Sequence, residues 1–195
     1  MSISLSLPLL LSHLPSEATA DGASLRALLT AAASGDSDAL ARIYDAVAEE
    51  LYGLALWHGR DRELAEDAVQ EVFCGLAGGR VRLPEKLTSP RAWLLRCVRN
   101  ATIDLQRRSP RQASLETAQC ELVLARGQHA ERSAEIAALS SAVAALAPRL
   151  RAAVYLHAYA GMTFREAGAV LGVPTFTAAS RYRLALRRLE KLLGA

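Results

Sequence analysis

The sequence predicts an all-α protein of two small helical domains joined by a flexible linker. Three observations carry this expectation. Of 195 residues, 51% are apolar and only 5% aromatic, and with alanine and leucine abundant this mixture favours helix over strand and argues against wholesale disorder. Apolar residues recur at helical spacing through most of the chain, with no alternating strand pattern and no internal repeat. That periodicity fades over residues 109–132, where Pro110, three glutamines and Gly127 read as a linker.

Residues 1–20 are expected to be a disordered extension. The run from Ile3 to Leu14 is apolar, but it contains Pro8 and is too short to span a bilayer. No basic residue precedes Arg26, so the positive start of a signal peptide is missing. The first domain is placed at 21–108. A short helix over 24–33 ends at Ser34-Gly35-Asp36, and Asp36 or Ser37 can cap the next. That helix runs to about residue 58, with Leu40, Ile43, Tyr44, Val47, Leu51, Leu54 and Ala55 on its apolar stripe. Gly59-Arg60-Asp61 makes a turn, a third helix covers 62–77, and Gly78-Gly79 stops it. Residues 80–90 hold two prolines and read as a loop; a fourth helix runs from 90 or 91 to about 108. The second domain is placed at 133–195, with helices over about 133–146, 148–160, 163–171 and 175–193, broken by Pro148, Gly161, Gly172 and Pro174.

The formal net charge of +3 conceals a division. Residues 21–108 hold 12 basic and 13 acidic side chains, whereas residues 133–195 hold 8 and 3. A basic C-terminal third suits contact with nucleic acid. Cys74, Cys97 and Cys120 form no CxxC pair and have no nearby histidine pair, so neither a disulfide framework nor a metal site is expected, and a reducing, cytoplasmic setting fits. The four histidines are scattered, and no nucleophile, acid–base pair or phosphate loop is apparent. No catalytic residue, cofactor or small-molecule substrate is expected, and no membrane role.

Three motifs carry the binding chemistry. The run TFREAGAVLGVPTFTAASR over 163–181 is a helix, a glycine turn and a second helix. Ala167 and Gly168 allow close crossing, Gly172 supplies the positive φ of the turn, and Thr175 or Thr177 is expected to cap the second helix. In such motifs the start of the second helix enters the major groove, which makes Ser180, Arg181 and Arg183 candidates for base edges, with Arg187 and Arg188 nearer phosphates. The second motif is DAVQEVF over 67–73: Val69, Val72, Phe73 and Leu76 face inward, while Glu63, Asp67, Gln70, Glu71 and Cys74 lie outward and suit a basic partner helix. The third is SPRAWLLRCVRNATIDLQRR over 89–108, which carries five arginines against one aspartate. Trp93 near its start can pack in the core or stack on an unpaired base.

Together, in this order and spacing, the three motifs resemble RNA polymerase sigma factors of the sigma-70 family, extracytoplasmic-function group, over about residues 28–193. The resemblance implies a non-enzymatic promoter-specificity subunit with two modules, sigma regions 2 and 4. It implies that Glu63, Asp67, Gln70, Glu71 and Cys74 dock on the β′ clamp coiled coil of core polymerase. The loop near 84–89 and the following helix become the −10 module, with Ser89, Arg91, Trp93, Arg96, Arg99, Asn100, Arg107 and Arg108 meeting DNA. Thr175, Phe176, Thr177, Ser180, Arg181, Arg183 and Arg187 would meet the −35 duplex. An anti-sigma factor is a common further partner in the family.

The chain departs from the family where a lysine usually precedes the Ser-Arg pair; here it is Ala179, and Leu184 and Leu186 stand where arginine is common. Weak or unusual −35 recognition is therefore expected, with Phe176 against a thymine methyl, and Ala179→Lys is expected to strengthen it. Two other readings stay open at the level of residues: a stand-alone helix-turn-helix regulator, and a degenerate sigma-like protein acting through protein contacts.

Overall fold

The computed structural model describes residues 22–108 and 133–194. The expected N-terminal extension and linker lie outside the described residues. Every element among the described residues is helical, and they fall into two compact units, 22–108 and 133–194.

The first unit contains α1 (Gly22–Ala33), α2 (Ser37–Gly59), α3 (Arg62–Ala77) and α4 (Pro90–Arg108). Asp36 caps α2, its Oδ1 accepting from the amides of Asp38 and Ala39 at 2.9 and 3.0 Å. Asp61 caps α3 through the Leu64 amide at 3.1 Å. Helix α2 is central, packing against the other three, while α3 and α4 also pack on each other. Leu25, Leu29, Ile43, Leu51, Leu54, Trp57, Val72, Leu94, Leu95 and Val98 form the buried core. Tyr44, expected on the inward stripe of α2, is instead 50% exposed, with its ring edge-on to Phe73 at 5.0 Å.

Two tight contacts shape this unit. A Cβ added to Gly59 would lie 2.7 Å from Leu64 Cδ2 and 3.4 Å from Thr102 Cγ2. Glycine is therefore held in the last turn of α2 by packing, and the left-handed position falls to Arg60 at φ 61°. A non-glycine residue there costs about 1–2 kcal/mol. A Cβ on Gly75 would lie 2.6 Å from Val81 Cγ2, and the Val81 amide donates to the Gly75 carbonyl at 2.9 Å. The chain leaving α3 thus folds back onto it.

The second unit contains α5 (Ser133–Ala144), α6 (Pro148–Val154), α7 (Phe164–Leu171) and α8 (Thr175–Leu193). Pro148 opens α6 at the position where its missing N–H is harmless. The helix expected to run on to 160 widens into a π turn over Tyr155–Tyr159, closed by the Ala160 amide on the Tyr155 carbonyl at 2.8 Å. Helix α8 packs on α5, α6 and α7 and buries Ala178, Ala185 and Leu189. Arg151, counted by sequence with the basic surface, is buried: its Nη1 donates to the carbonyls of Ala144 and Leu146 at 2.9 and 2.7 Å. It satisfies the carbonyl end of α5, where the helix's own bonds run out.

Candidate functional site

On α3, Ala65, Ala68, Val69, Val72, Phe73 and Leu76 are buried. The opposite face exposes Glu63, Glu66, Asp67, Gln70, Glu71 and Cys74. All five residues singled out by sequence therefore share one outward face, and Glu66, missed by sequence, joins them. Spacing alone nearly finds Glu66, because it stands four residues before Gln70. Tyr44 of α2 extends the same side, since its ring rests on Phe73, next to Gln70 and Cys74 in α3. The face is acidic with one half-exposed aromatic ring, a composition that suits a basic helical surface.

On α4, Leu94, Leu95, Val98 and Thr102 are buried and Arg96, Asn100, Arg107 and Arg108 are exposed. Trp93 and Arg99 are half-buried, and Arg99 Nη1 donates to Asn100 Oδ1 at 3.3 Å. Arg107 lies 3.6 Å from Asp104 across one helical turn, a solvent-exposed pair of small energetic weight. Beside Arg96, burial pushes the Cys97 thiol up to about 11, against a smaller opposing pull from the arginine. The exposed set from Arg96 to Arg108 runs about 18 Å along α4 rather than forming one pocket.

Two of the residues assigned to this stripe have structural partners. Arg91 makes a bidentate pair with Glu50 of α2, Nε to Oε2 at 2.8 Å and Nη2 to Oε1 at 2.5 Å, with both side chains largely covered. Ser89 caps α4 by accepting from the Ala92 amide at 3.3 Å. The loop between α3 and α4 is held at both ends. Val81 sits on Gly75, Leu87 is buried, and Arg26 of α1 donates to the Leu87 carbonyl. Pro84, Glu85 and Lys86 are left exposed between these anchors.

In the second unit the helix-turn-helix forms as its sequence implies. Thr163 and Glu166 make a reciprocal capping box at the start of α7, with the Glu166 carboxylate accepting from the Thr163 amide at 2.9 Å and its hydroxyl at 2.7 Å. Gly172 ends α7 at φ 67°, and a Cβ on Gly168 would stand 2.8 Å from the Val173 carbonyl oxygen. One expectation is corrected. Neither Thr175 nor Thr177 caps α8: Pro174 occupies the cap, with no side-chain hydrogen bond, and the Thr177 amide turns back to the Pro174 carbonyl at 2.9 Å. Thr175, Phe176, Ser180, Arg183, Arg187 and Arg188 are exposed, and Thr177 and Arg181 are half-buried. Phe176, Ser180, Arg183 and Arg187 fall at i, i+4, i+7 and i+11 and so share one stripe about 16 Å long.

Comparison with known proteins bears on this arrangement. Residues 43–112 match the Sigma-70 region 2 family and residues 136–189 match Sigma-70, region 4. The ECF RNA polymerase sigma factor SigK of Mycobacterium ulcerans (strain Agy99) is 31% identical over 180 residues, covering 88% of this chain and 94% of that protein. The chain belongs to the sigma-70 family, in its extracytoplasmic-function group. As a sigma factor it is a promoter-specificity subunit of bacterial RNA polymerase, acting in transcription initiation. It is also similar to the ECF RNA polymerase sigma factor SigC of Mycobacterium tuberculosis (strain CDC 1551 / Oshkosh), 28% identical over 162 residues, with 83% and 86% of the two chains covered. Among solved structures, CnrH in complex with the cytosolic domain of CnrY matches at a TM-score of 0.62 and 27% identity, covering 88% of this chain and 97% of that one. RpoE in complex with the anti-sigma factor NepR from Bartonella quintana shares the fold at a TM-score of 0.53 and 22% identity, over 89% and 96% of the two chains.

The sigma factor departs from its sequence reading at one further position. Ala179 is buried, only 6% exposed. A lysine there would enter a packed face of α8 rather than reach toward DNA, so Ala179→Lys brings no gain in promoter binding. Two features were not singled out from the sequence: Arg165, exposed in the first turn of α7, and an aromatic cluster behind α8. His157 of the π turn stacks on Phe164 at 3.9 Å and meets Tyr182 edge-on at 4.7 Å, while its Nδ1 lies 2.7 Å from the Met162 carbonyl oxygen. This cluster ties the π turn to both helices of the motif. Among the described residues no group of His, Cys, Asp and Glu can hold a metal, and no helix is long and apolar enough to cross a membrane.

Proposed function

We propose that this sigma factor divides its partners among three surfaces. The acidic face of α3, with Glu63, Glu66, Asp67, Gln70, Glu71 and Cys74, docks on the β′ clamp coiled coil of core polymerase, and Tyr44 adds an apolar contact. The exposed stripe of α4 and the loop before it engage the −10 region, with Arg96, Asn100, Arg107 and Arg108 in contact with the strand and Trp93 and Arg99 behind them. Arg91 and Ser89 serve by position: one braces α4 against α2 and the other caps it. The stripe of α8 enters the −35 major groove, with Arg181 flanking it. The chain works by binding and carries no catalysis of its own. An anti-sigma factor that covers one of these surfaces is a natural regulator, as two similar structures are complexes with CnrY and with NepR.

The observation that carries the assignment is the exposure of Asp67, Gln70 and Glu71 together on a helix whose other face is fully packed. The test is reconstitution with purified core polymerase. Gln70→Lys with Glu71→Lys should abolish co-purification and run-off transcription while the helical circular dichroism signal is kept. Unchanged co-purification would overturn the docking assignment.

A further inference from the structure

Phe176 is the most exposed of the large apolar side chains among the described residues, at 73%, beyond Tyr44 at 50% and Leu192 at 49%. It stands in the first turn of α8, on the same stripe as Ser180, Arg183 and Arg187. A phenyl ring has no donor or acceptor for a phosphate or a base edge. In the major groove the apolar feature within reach of the first turn of such a helix is the C5 methyl of thymine. The two arginines further along the stripe supply the charge that holds a helix against phosphates, so the ring and its anchors point the same way.

We infer that Phe176 makes thymine methyl content a determinant of −35 recognition, so that the upstream element is read partly as a 5-methyl pyrimidine. The inference rests on α8 being the −35 helix and names the chemistry that helix reads. Neighbouring Thr175, also exposed, can add its own methyl to the contact. Burying one methyl group corresponds to about fourfold in affinity.

The probe is a duplex promoter library randomised over the upstream element, selected with holoenzyme built from the full chain and core polymerase. The selected duplex is then made with thymine or with uracil at each upstream position and titrated by gel shift. Wild-type holoenzyme should lose about fourfold on uracil at one or two adjacent positions, and Phe176→Ala should bind the two duplexes equally. Equal binding by the wild type, or an undiminished uracil penalty in Phe176→Ala, overturns the inference. Arg183→Ala and Arg187→Ala separate the two levels. If they weaken binding on both duplexes while uracil has no effect, the methyl contact alone fails. If they have no effect, or selection enriches no upstream sequence, the −35 assignment of α8 fails with it.

Discussion

Gly168→Ala is the sharpest perturbation that the second unit offers. The added Cβ would stand 2.8 Å from the Val173 carbonyl oxygen and 3.5 Å from Thr175 Cα, where ordinary contact begins near 3.4 Å. Both neighbours are backbone, and the Val173 amide already donates to the Gly168 carbonyl at 2.9 Å. The turn must therefore move by about 0.6 Å, which displaces the start of α8. Overpacking of this kind costs about 1–3 kcal/mol, against about 1 kcal/mol gained from replacing a helical glycine with alanine. A net loss of up to about 2 kcal/mol in a unit of this size lowers Tm by up to roughly 15 °C. Calorimetry on the full chain reads this, and run-off transcription from a promoter that needs its −35 element should fall while co-purification with core polymerase holds. Gly172→Ala is the control. Its φ of 67° strains alanine but its Cβ position is open, so the loss there comes from backbone strain alone and Gly172→Asn should recover part of it. A Tm that rises in Gly168→Ala, as helix propensity alone dictates, would refute the reasoning.

Three further outcomes follow from named contacts. The Glu50–Arg91 pair, bidentate and more than three-quarters covered on each side, should show a coupling of about 1–2 kcal/mol in a urea-unfolding cycle of Glu50→Gln and Arg91→Met; a coupling near zero would refute the bracing role of Arg91. Ala179→Lys should lower stability by about 1–3 kcal/mol in thermal denaturation, without a gain in promoter affinity, because the residue is 6% exposed. Burial raises the Cys97 thiol from 9.0 to about 11, so the folded state holds its proton more tightly than the unfolded chain. The stability from that shift is complete below pH 9 and lost as pH rises toward 11, and peptide-mapped alkylation should label exposed Cys74 well before Cys97 at pH 8.

The helices were legible because their start and stop signals are local. Asp36 caps α2 as expected and Gly172 takes the turn it was expected to take, while Asp61, expected only in a turn, and Ser89, expected at DNA, also cap their helices. The outward face of α3 was legible for the same reason: burial of Val69, Val72, Phe73 and Leu76 fixes which residues remain outside. One miss is local, since Pro174 rather than Thr175 or Thr177 takes the cap of α8, and others depend on non-local packing. Periodicity put Tyr44 inside and could not see that its ring lies over Phe73 at the edge of the core. Arg91 and Arg151 look like surface cations in sequence, yet one meets a carboxylate 41 residues away and the other fills the end of α5. Ala179 was placed by analogy of motif rather than by the helical phase of α8, and the phase decided.

The charge of the first unit shows why net charge is a poor guide to partners here. Residues 21–108 are nearly neutral, yet four acids, Glu63, Glu66, Asp67 and Glu71, share the outward face of α3, and four arginines, Arg96, Arg99, Arg107 and Arg108, stand on or beside the exposed side of α4. Helices α3 and α4 pack on each other and on α2, so their solvent faces turn away from a shared core. Packed helices lie about 8–10 Å apart axis to axis, and outward side chains add to that separation. It exceeds the Debye length of about 8 Å at physiological salt. The two fields are therefore felt separately, and an acidic docking face and a basic strand-binding face can coexist on four helices. Reversing charge on α3 should leave the DNA face of α4 electrostatically intact, which is the condition for polymerase docking and promoter contact to be separable by mutation in one small unit.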